Sequence, residues 1–206
     1  MTKNVFSILL LILISFIIFS CEKKITENKQ DLKMEINQTL FNLYDSSEIN
    51  KFGQVNPEAP QPTNEFDFMI GNFLCKDSLL VNGQWKYSEA TWETSYILNG
   101  YAIKDTYRNN NYAGTSIRLY NTKKEKWDVY FFGMPGEHTG LWEGEKIDNT
   151  MVMKQKRVGP NGENLESRLT FYNISKNYFD WKGELWNLDN NTVTVNWKIK
   201  ADKTEL

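Results

Sequence analysis

The sequence predicts an all-β protein: an antiparallel up-and-down barrel of about nine or ten strands, preceded by a signal peptide and a flexible tether. Three observations predict it. From Phe66 to about Lys203, apolar residues recur at every second position, the period of a strand with one face buried and one in water. Asn-Gly pairs and short polar runs punctuate that pattern. No amphipathic helix interrupts it, and the short connections favour sequential antiparallel neighbours.

The alternation is clearest near the end. Leu165, Ser167, Leu169 and Phe171 alternate with Glu166, Arg168, Thr170 and Tyr172. Phe179, Trp181 and Leu185 alternate with Tyr178, Asp180, Lys182 and Glu184, and Val193, Val195, Trp197 and Ile199 with Thr192, Thr194, Asn196, Lys198 and Lys200. Asn82-Gly83, Asn99-Gly100 and Asn161-Gly162 supply the positive φ angles of tight hairpin turns. Strands are expected at 67–80, 85–98, 101–108, 115–120, 126–133, 139–146, 150–157, 164–174, 177–186 and 192–201. A sheet of so many strands must close or fold over, because open edges invite association. Short hairpins suit a barrel, whereas a Greek-key sandwich needs longer crossovers.

The N-terminus reads as an address label. Lys3 precedes an apolar run from Val5 to Phe19, too short for a comfortable bilayer span. The run ends Ile18-Phe19-Ser20-Cys21, which resembles the lipobox of bacterial lipoproteins. There a small residue occupies the cleavage subsite, and the Cys sulfur carries the lipid. The expected organisation is a removed signal peptide over 1–20, a lipidated Cys21 with a linker over 21–64, and a barrel domain over 65–206. The linker contains three prolines between Pro57 and Pro62, which favour extended backbone. It also holds a helical stripe at Leu32, Ile36, Leu40 and Leu43. The location implied is the bacterial cell envelope, anchored to a membrane through lipid on Cys21.

Composition excludes several classes. The 24 basic and 26 acidic residues leave a net charge of −2, without the basic footprint of a nucleic-acid binder. A mean hydropathy of −0.56 excludes a polytopic helical membrane protein. One His and two Cys cannot fill a closed zinc site. Cys75 reads as a small buried hydrophobe. His138 sits among Gly and Pro residues and reads as a loop residue. No Ser/His/Asp grouping and no phosphate cradle is present, so no catalytic residue, metal ligand or cofactor is assigned.

All seven Trp lie between Phe66 and Lys203, so the interior is aromatic. Trp92, Tyr96, Phe131, Trp181 and Trp197 fall on the inferred inner face. A barrel of this size either fills its interior with side chains or leaves space for one small ligand. Asp105 shares a face with Tyr101, Ile103 and Tyr107. If that face is inside, its carboxylate needs a cation or hydroxyl donors; it either orients a polar ligand head or is satisfied internally. Trp142 is placed with it as a polar contact near the ligand.

Phe66-Asp67-Phe68-Met69-Ile70-Gly71-Asn72-Phe73 resembles the opening strand of a group of uncharacterised bacterial lipocalin-like (calycin-type) domains. Tyr96-Ile97-Leu98-Asn99-Gly100, Gly114-Thr115-Ser116, Tyr120-Asn121 with Trp127, Arg168-Leu169-Thr170-Phe171-Tyr172-Asn173-Ile174 and Phe179-Asp180-Trp181 follow in the order of that group. The resemblance implies an exported calycin-like barrel with no agreed activity. Where relatives carry Asp-Gly-Gly-x-Thr-Trp, this chain has Asp189-Asn190-Asn191-Thr192-Val193. Haem-binding barrels of the nitrobindin type use a Gly-x-Trp-x-Gly-x-Gly opening and a late-strand His. Here Gly71-Asn72-Phe73-Leu74-Cys75 keeps only the first Gly, and no His follows residue 138, which argues against haem.

Three functional readings follow. The first is an envelope lipoprotein whose barrel binds a small hydrophobic or amphipathic ligand. The second is a non-enzymatic domain with a filled core that presents its rim to an envelope protein partner. The third is an envelope hydrolase or isomerase using His138 or Asp105.

Overall fold

The computed structural model describes residues 54–136 and 138–204. The signal peptide, Cys21 and the 32–43 stripe lie outside the described residues. Ten strands form: β1 (Gly71–Val81), β2 (Gln84–Ile97), β3 (Ala102–Arg108), β4 (Ala113–Asn121), β5 (Lys126–Met134), β6 (His138–Ile147), β7 (Thr150–Val158), β8 (Asn164–Tyr172), β9 (Tyr178–Asn187) and β10 (Thr192–Lys203). Each pairs antiparallel with its chain neighbour. β1 also pairs with β10, placing Phe73 opposite both Lys203 and Trp92. The sheet is therefore a closed ten-stranded up-and-down antiparallel barrel, and closure leaves no strand edge to manage.

The expected strands are all present; only the first begins differently. Residues 67–69 are not strand. They belong to a 3-10 helix over Gln61–Met69, and β1 starts at Gly71. The alternation Phe66, Phe68 imitates a strand, but Phe66 and Met69 are three apart, and on a helix with three residues per turn they share one side. Both are fully buried. Pro60 and Pro62 preset φ where the helix begins.

This helix plugs one end of the barrel. The Phe66 ring meets Trp127 edge-on at 4.8 Å and Phe171 at 6.0 Å, while Phe68 lies 5.6 Å from both Phe171 and Phe179. Polar stitches hold its rim: Trp127 Nε1 donates to Glu65 Oε2 at 3.0 Å, and Tyr96 Oη donates to Asp67, with the Thr63 carbonyl 3.2 Å from the same hydroxyl. Burying one such phenyl ring contributes about 2–3 kcal/mol. The connections after β1, β3, β5, β7 and β9 gather at the opposite, unplugged end.

The turns divide by length. Asn82 and Gly83 both have positive φ, at 50° and 76°, and join β1 to β2 as a two-residue hairpin. Asn99 and Gly100 also have positive φ, but within a four-residue connection in which Leu98 is positive too. Gly100 is required there twice over. Its φ is +78°, and a Cβ would strike the Asn56 amide nitrogen and sit 2.6 Å from the Gln54 carbonyl. Asn56 docks there, its amide donating to the Gly100 carbonyl at 3.2 Å. Asn161-Gly162 is not a two-residue hairpin: only Gly162 is positive, in a longer loop closed by Gly159 and Glu163.

One strand departs from simple alternation. The register between β9 and β10 shifts between Val195 and Trp197, leaving Asn196 as the extra residue. Trp197 pairs with Gly183, but Val195 pairs with Glu184 and Val193 with Trp186. Cross-strand partners share a face, so Val193 and Val195 lie outside while Trp197 and Ile199 lie inside. A bulge does this by placing two residues opposite one.

Candidate functional site: a cavity in the open half of the barrel

The inner face is aromatic from the plug upward. Above the plug lies a belt of Phe73, Trp92, Phe171 and Phe179, with Trp92 5.6 Å from Phe179 and 5.7 Å from Phe171. Above that belt the barrel is not filled. A cavity of about 270 Å³ occupies its open half, lined by Trp92, Tyr107, Tyr112, Phe131, Trp142, Trp181 and Trp197 together with Asp105, Arg118, Arg157, Ser167 and Asn196. That is just below the usual range for sites of drug-sized ligands.

Each wall residue is placed by strand register. Trp92 on β2 pairs with Tyr107 on β3, and Gly114 on β4 pairs with Tyr107 in turn. Phe131 on β5 faces Ser116 on β4 and Gly140 on β6. Glycines behind the rings make room for them: a Cβ on Gly114 would lie 2.9 Å from the Phe131 ring and 3.0 Å from Tyr112 Oη. Trp181 and Trp197 meet edge-on at 5.3 Å, and Trp197 also meets Tyr107 and Tyr112 at 5.7 Å.

Of the residues singled out from sequence, Trp92, Asp105, Phe131, Trp142, Trp181 and Trp197 are brought together in this wall. Tyr96 is not: it faces inward but lies at the plugged end, bonded to Thr63 and Asp67. Period two gives a residue's face and says nothing of its height in the barrel.

Asp105 is buried and answered from β4. Arg118 forms an ion pair with Oδ2, Ser116 Oγ donates to Oδ2 at 2.8 Å, and the Ser116 amide donates to Oδ1 at 3.2 Å. The sequence requirement for a cation or hydroxyl donors is thus met by one of each. The Arg118 guanidinium also lies 5.0 Å from the centre of the Phe66 ring, so it links the cavity floor to the plug. It lies 6.0 Å from the Phe171 ring as well, and its charge beside these two rings is a favourable contact in a dry site.

A second buried carboxylate, Asp77 on β1, is not among the residues that the sequence singles out. Its Oδ2 accepts from Tyr107 Oη at 2.7 Å, Asn109 Nδ2 at 2.9 Å and Ser88 Oγ at 3.2 Å, and its Oδ1 accepts from Trp197 Nε1 at 2.5 Å. Four donors replace the water such a group would lose. Asp77 thereby fixes two rings of the cavity wall. The available signal was the Phe73, Cys75, Asp77 alternation, which places a carboxylate on the apolar face.

Burial raises the Tyr107 and Tyr112 phenols of this wall, and the Cys75 thiol of β1, above their ordinary range. The Tyr107 phenol is raised by burial first, then by its bond to Asp77. Tyr112 rises to about 12 through burial and the nearby Asp105 charge. Cys75, 2% exposed, is pushed up to about 12 by burial first and then by Asp77 and Asp202. The folded protein therefore holds the neutral thiol. A thiol-directed disulfide reagent at pH 8 is expected to leave Cys75 unmodified until denaturant is added; fast labelling of the native chain would contradict its burial. Because the folded value is raised, the stabilisation is complete below the unfolded value near 9 and is lost as pH climbs from there to about 12.

His138 is the first residue of β6, exposed and opposite Gly133. Among the described residues no group of His, Cys, Asp and Glu could hold a metal ion.

No protein-family model matches the chain, and no curated protein matches it. Among solved structures it is similar to the S-type phycobiliprotein lyase CPES from Guillardia theta, with 10% identity over 68% of this chain and 91% of that chain, and a TM-score of 0.42.

Proposed function

We propose that this chain is an envelope lipoprotein whose barrel carries one small apolar or amphipathic molecule. The observation that carries the binding reading is the 270 Å³ cavity. A tightly packed interior leaves few voids larger than a water molecule, and this one is walled by four Trp and lies away from the plug. Native mass spectrometry on the purified full-length chain is expected to give a reproducible added mass that solvent extraction releases. Ser167→Phe, which sends a ring into the cavity from β8, is expected to abolish that added mass while leaving the far-ultraviolet spectrum of the barrel unchanged. A folded wild-type chain that is always empty and takes up no apolar probe would overturn the reading.

The lipoprotein half rests on the sequence around Cys21. Cys21→Ser is expected to move the protein from the membrane to the soluble fraction and to remove incorporated radiolabelled palmitate. Equal membrane association of both forms would sink it.

A second reading is favoured by the outer face of β4–β6. Leu119, Tyr130, Phe132 and Leu141 are each exposed there by more than two-fifths, and Leu141 pairs with Tyr130. A patch of this kind suits a protein partner. Tyr130→Lys with Phe132→Lys would abolish such an association and leave ligand binding intact.

A further inference from the structure

The cavity wall has an imbalance of hydrogen-bonding groups. Trp92 Nε1 and Arg118 Nε are both buried, and neither meets an acceptor among the described residues. Both residues line the cavity. Both atoms carry a proton and can only donate. The buried carboxylate of the wall, by contrast, is occupied: Asp105 takes Arg118 and Ser116. Buried donors without acceptors are costly, so a group that offers an oxygen is favoured over one that does not.

The charge count narrows the oxygen. Arg118 is already neutralised by Asp105, and Glu184, on the outer face with its partner Val195, pairs with Lys182 there. The only other charged side chain of the wall is Arg157, which is exposed and contacts Ser167 Oγ at 3.5 Å. Arg157 sits at the exposed rim, so a carboxylate taken down to Trp92 and Arg118 would find no uncompensated cation beside it, and its desolvation would go unanswered. A neutral oxygen needs none.

Resting on the reading of the cavity as a ligand site, we propose that its occupant is a neutral, largely apolar molecule that binds with a carbonyl-type oxygen inward, accepting from the unpaired donors of Trp92 and Arg118. Its apolar body packs on Phe131, Trp142, Trp181 and Trp197.

Three probes of one shape test this on the full-length chain: 2-acetylnaphthalene, 2-isopropenylnaphthalene, in which CH2 replaces the oxygen, and 2-naphthoate, which adds a charge. Calorimetric titration is expected to rank the ketone on the order of 10- to 100-fold above the alkene, with the naphthoate no tighter than the ketone. In the 15N-labelled wild type, the ketone shifts one indole N–H signal that the alkene leaves in place, and that signal is missing from Trp92→Phe. This readout stands even where Trp92→Phe folds poorly, because the ranking is measured on the wild type. Equal binding of all three probes overturns the proposal and leaves the ligand-site reading intact. Tightest binding of the naphthoate overturns it in favour of an anion site. No binding of any probe to the folded chain overturns both.

Discussion

Arg118→Met is expected to destabilise the barrel by about 3–5 kcal/mol, the cost of leaving a buried carboxylate without its cation. Arg118 and Asp105 have side chains 3% and 5% exposed, so water cannot take the place of the guanidinium. Ser116 still donates twice to Asp105 in the variant, but neutral donors do not cancel a charge. For a domain of this size the melting temperature should fall by roughly 10 °C. The informative control is the pair Arg118→Met with Asp105→Leu, which removes both charges and fills their volume; it should recover most of the loss. A single-variant loss under about 1 kcal/mol, or a double variant no better than the single, would show that the pair is not the dry ion pair described here.

Asp77→Ala is expected to cost a comparable amount, about 3–5 kcal/mol, by a different route. No cation is lost. Instead, Tyr107, Asn109, Ser88 and Trp197 together lose the acceptor on which they converge. Asp77→Asn keeps one oxygen but turns two N–H donors toward donors, so it should recover only part of the stability. Chemical denaturation of the three forms gives the ranking Asp, Asn, Ala. Near-ultraviolet circular dichroism should change as well, because Trp197 and Tyr107 lose their shared anchor. Equal stability of all three forms would mean that the four donors find other partners at no cost.

Much of the architecture was legible because strand periodicity is a local signal. Leu169 and Phe171 announce their face with no knowledge of what lies opposite, and so do Trp181 and Ile199. The plug was misread because Phe66-Asp67-Phe68 satisfies period two as well as it satisfies a 3-10 turn. Only the buried partner Met69 separates the two readings. The bulge at Asn196 was hidden for a related reason: Val193, Val195 and Trp197 alternate faultlessly in sequence, and the slip arises from pairing with β9.

The site was partly legible. Asp105 drew attention as a carboxylate on an apolar face, and its needs were stated correctly, but Arg118 could equally have faced water. The Asp77 cluster joins residues up to 120 positions apart; nothing local connects Asp77 with Trp197. The unpaired indole N–H of Trp92 was beyond reach, since an unmet donor is defined only by everything around it.

The pairing of β1 with β10 sets the order in which this molecule can be made. Strands β1 to β9 zip with neighbours already synthesised, each hairpin adding contacts close in sequence. The last seam joins Phe73 to Lys203 and Cys75 to Ala201, and it must wait for the final strand. Contacts of such long sequence separation slow folding. Until they form, β1 and β9 present two bare hydrogen-bonding edges, and the β10 of a second copy satisfies them as well as the chain's own. Crowding during synthesis therefore favours strand-exchanged dimers, and dilution favours the closed monomer.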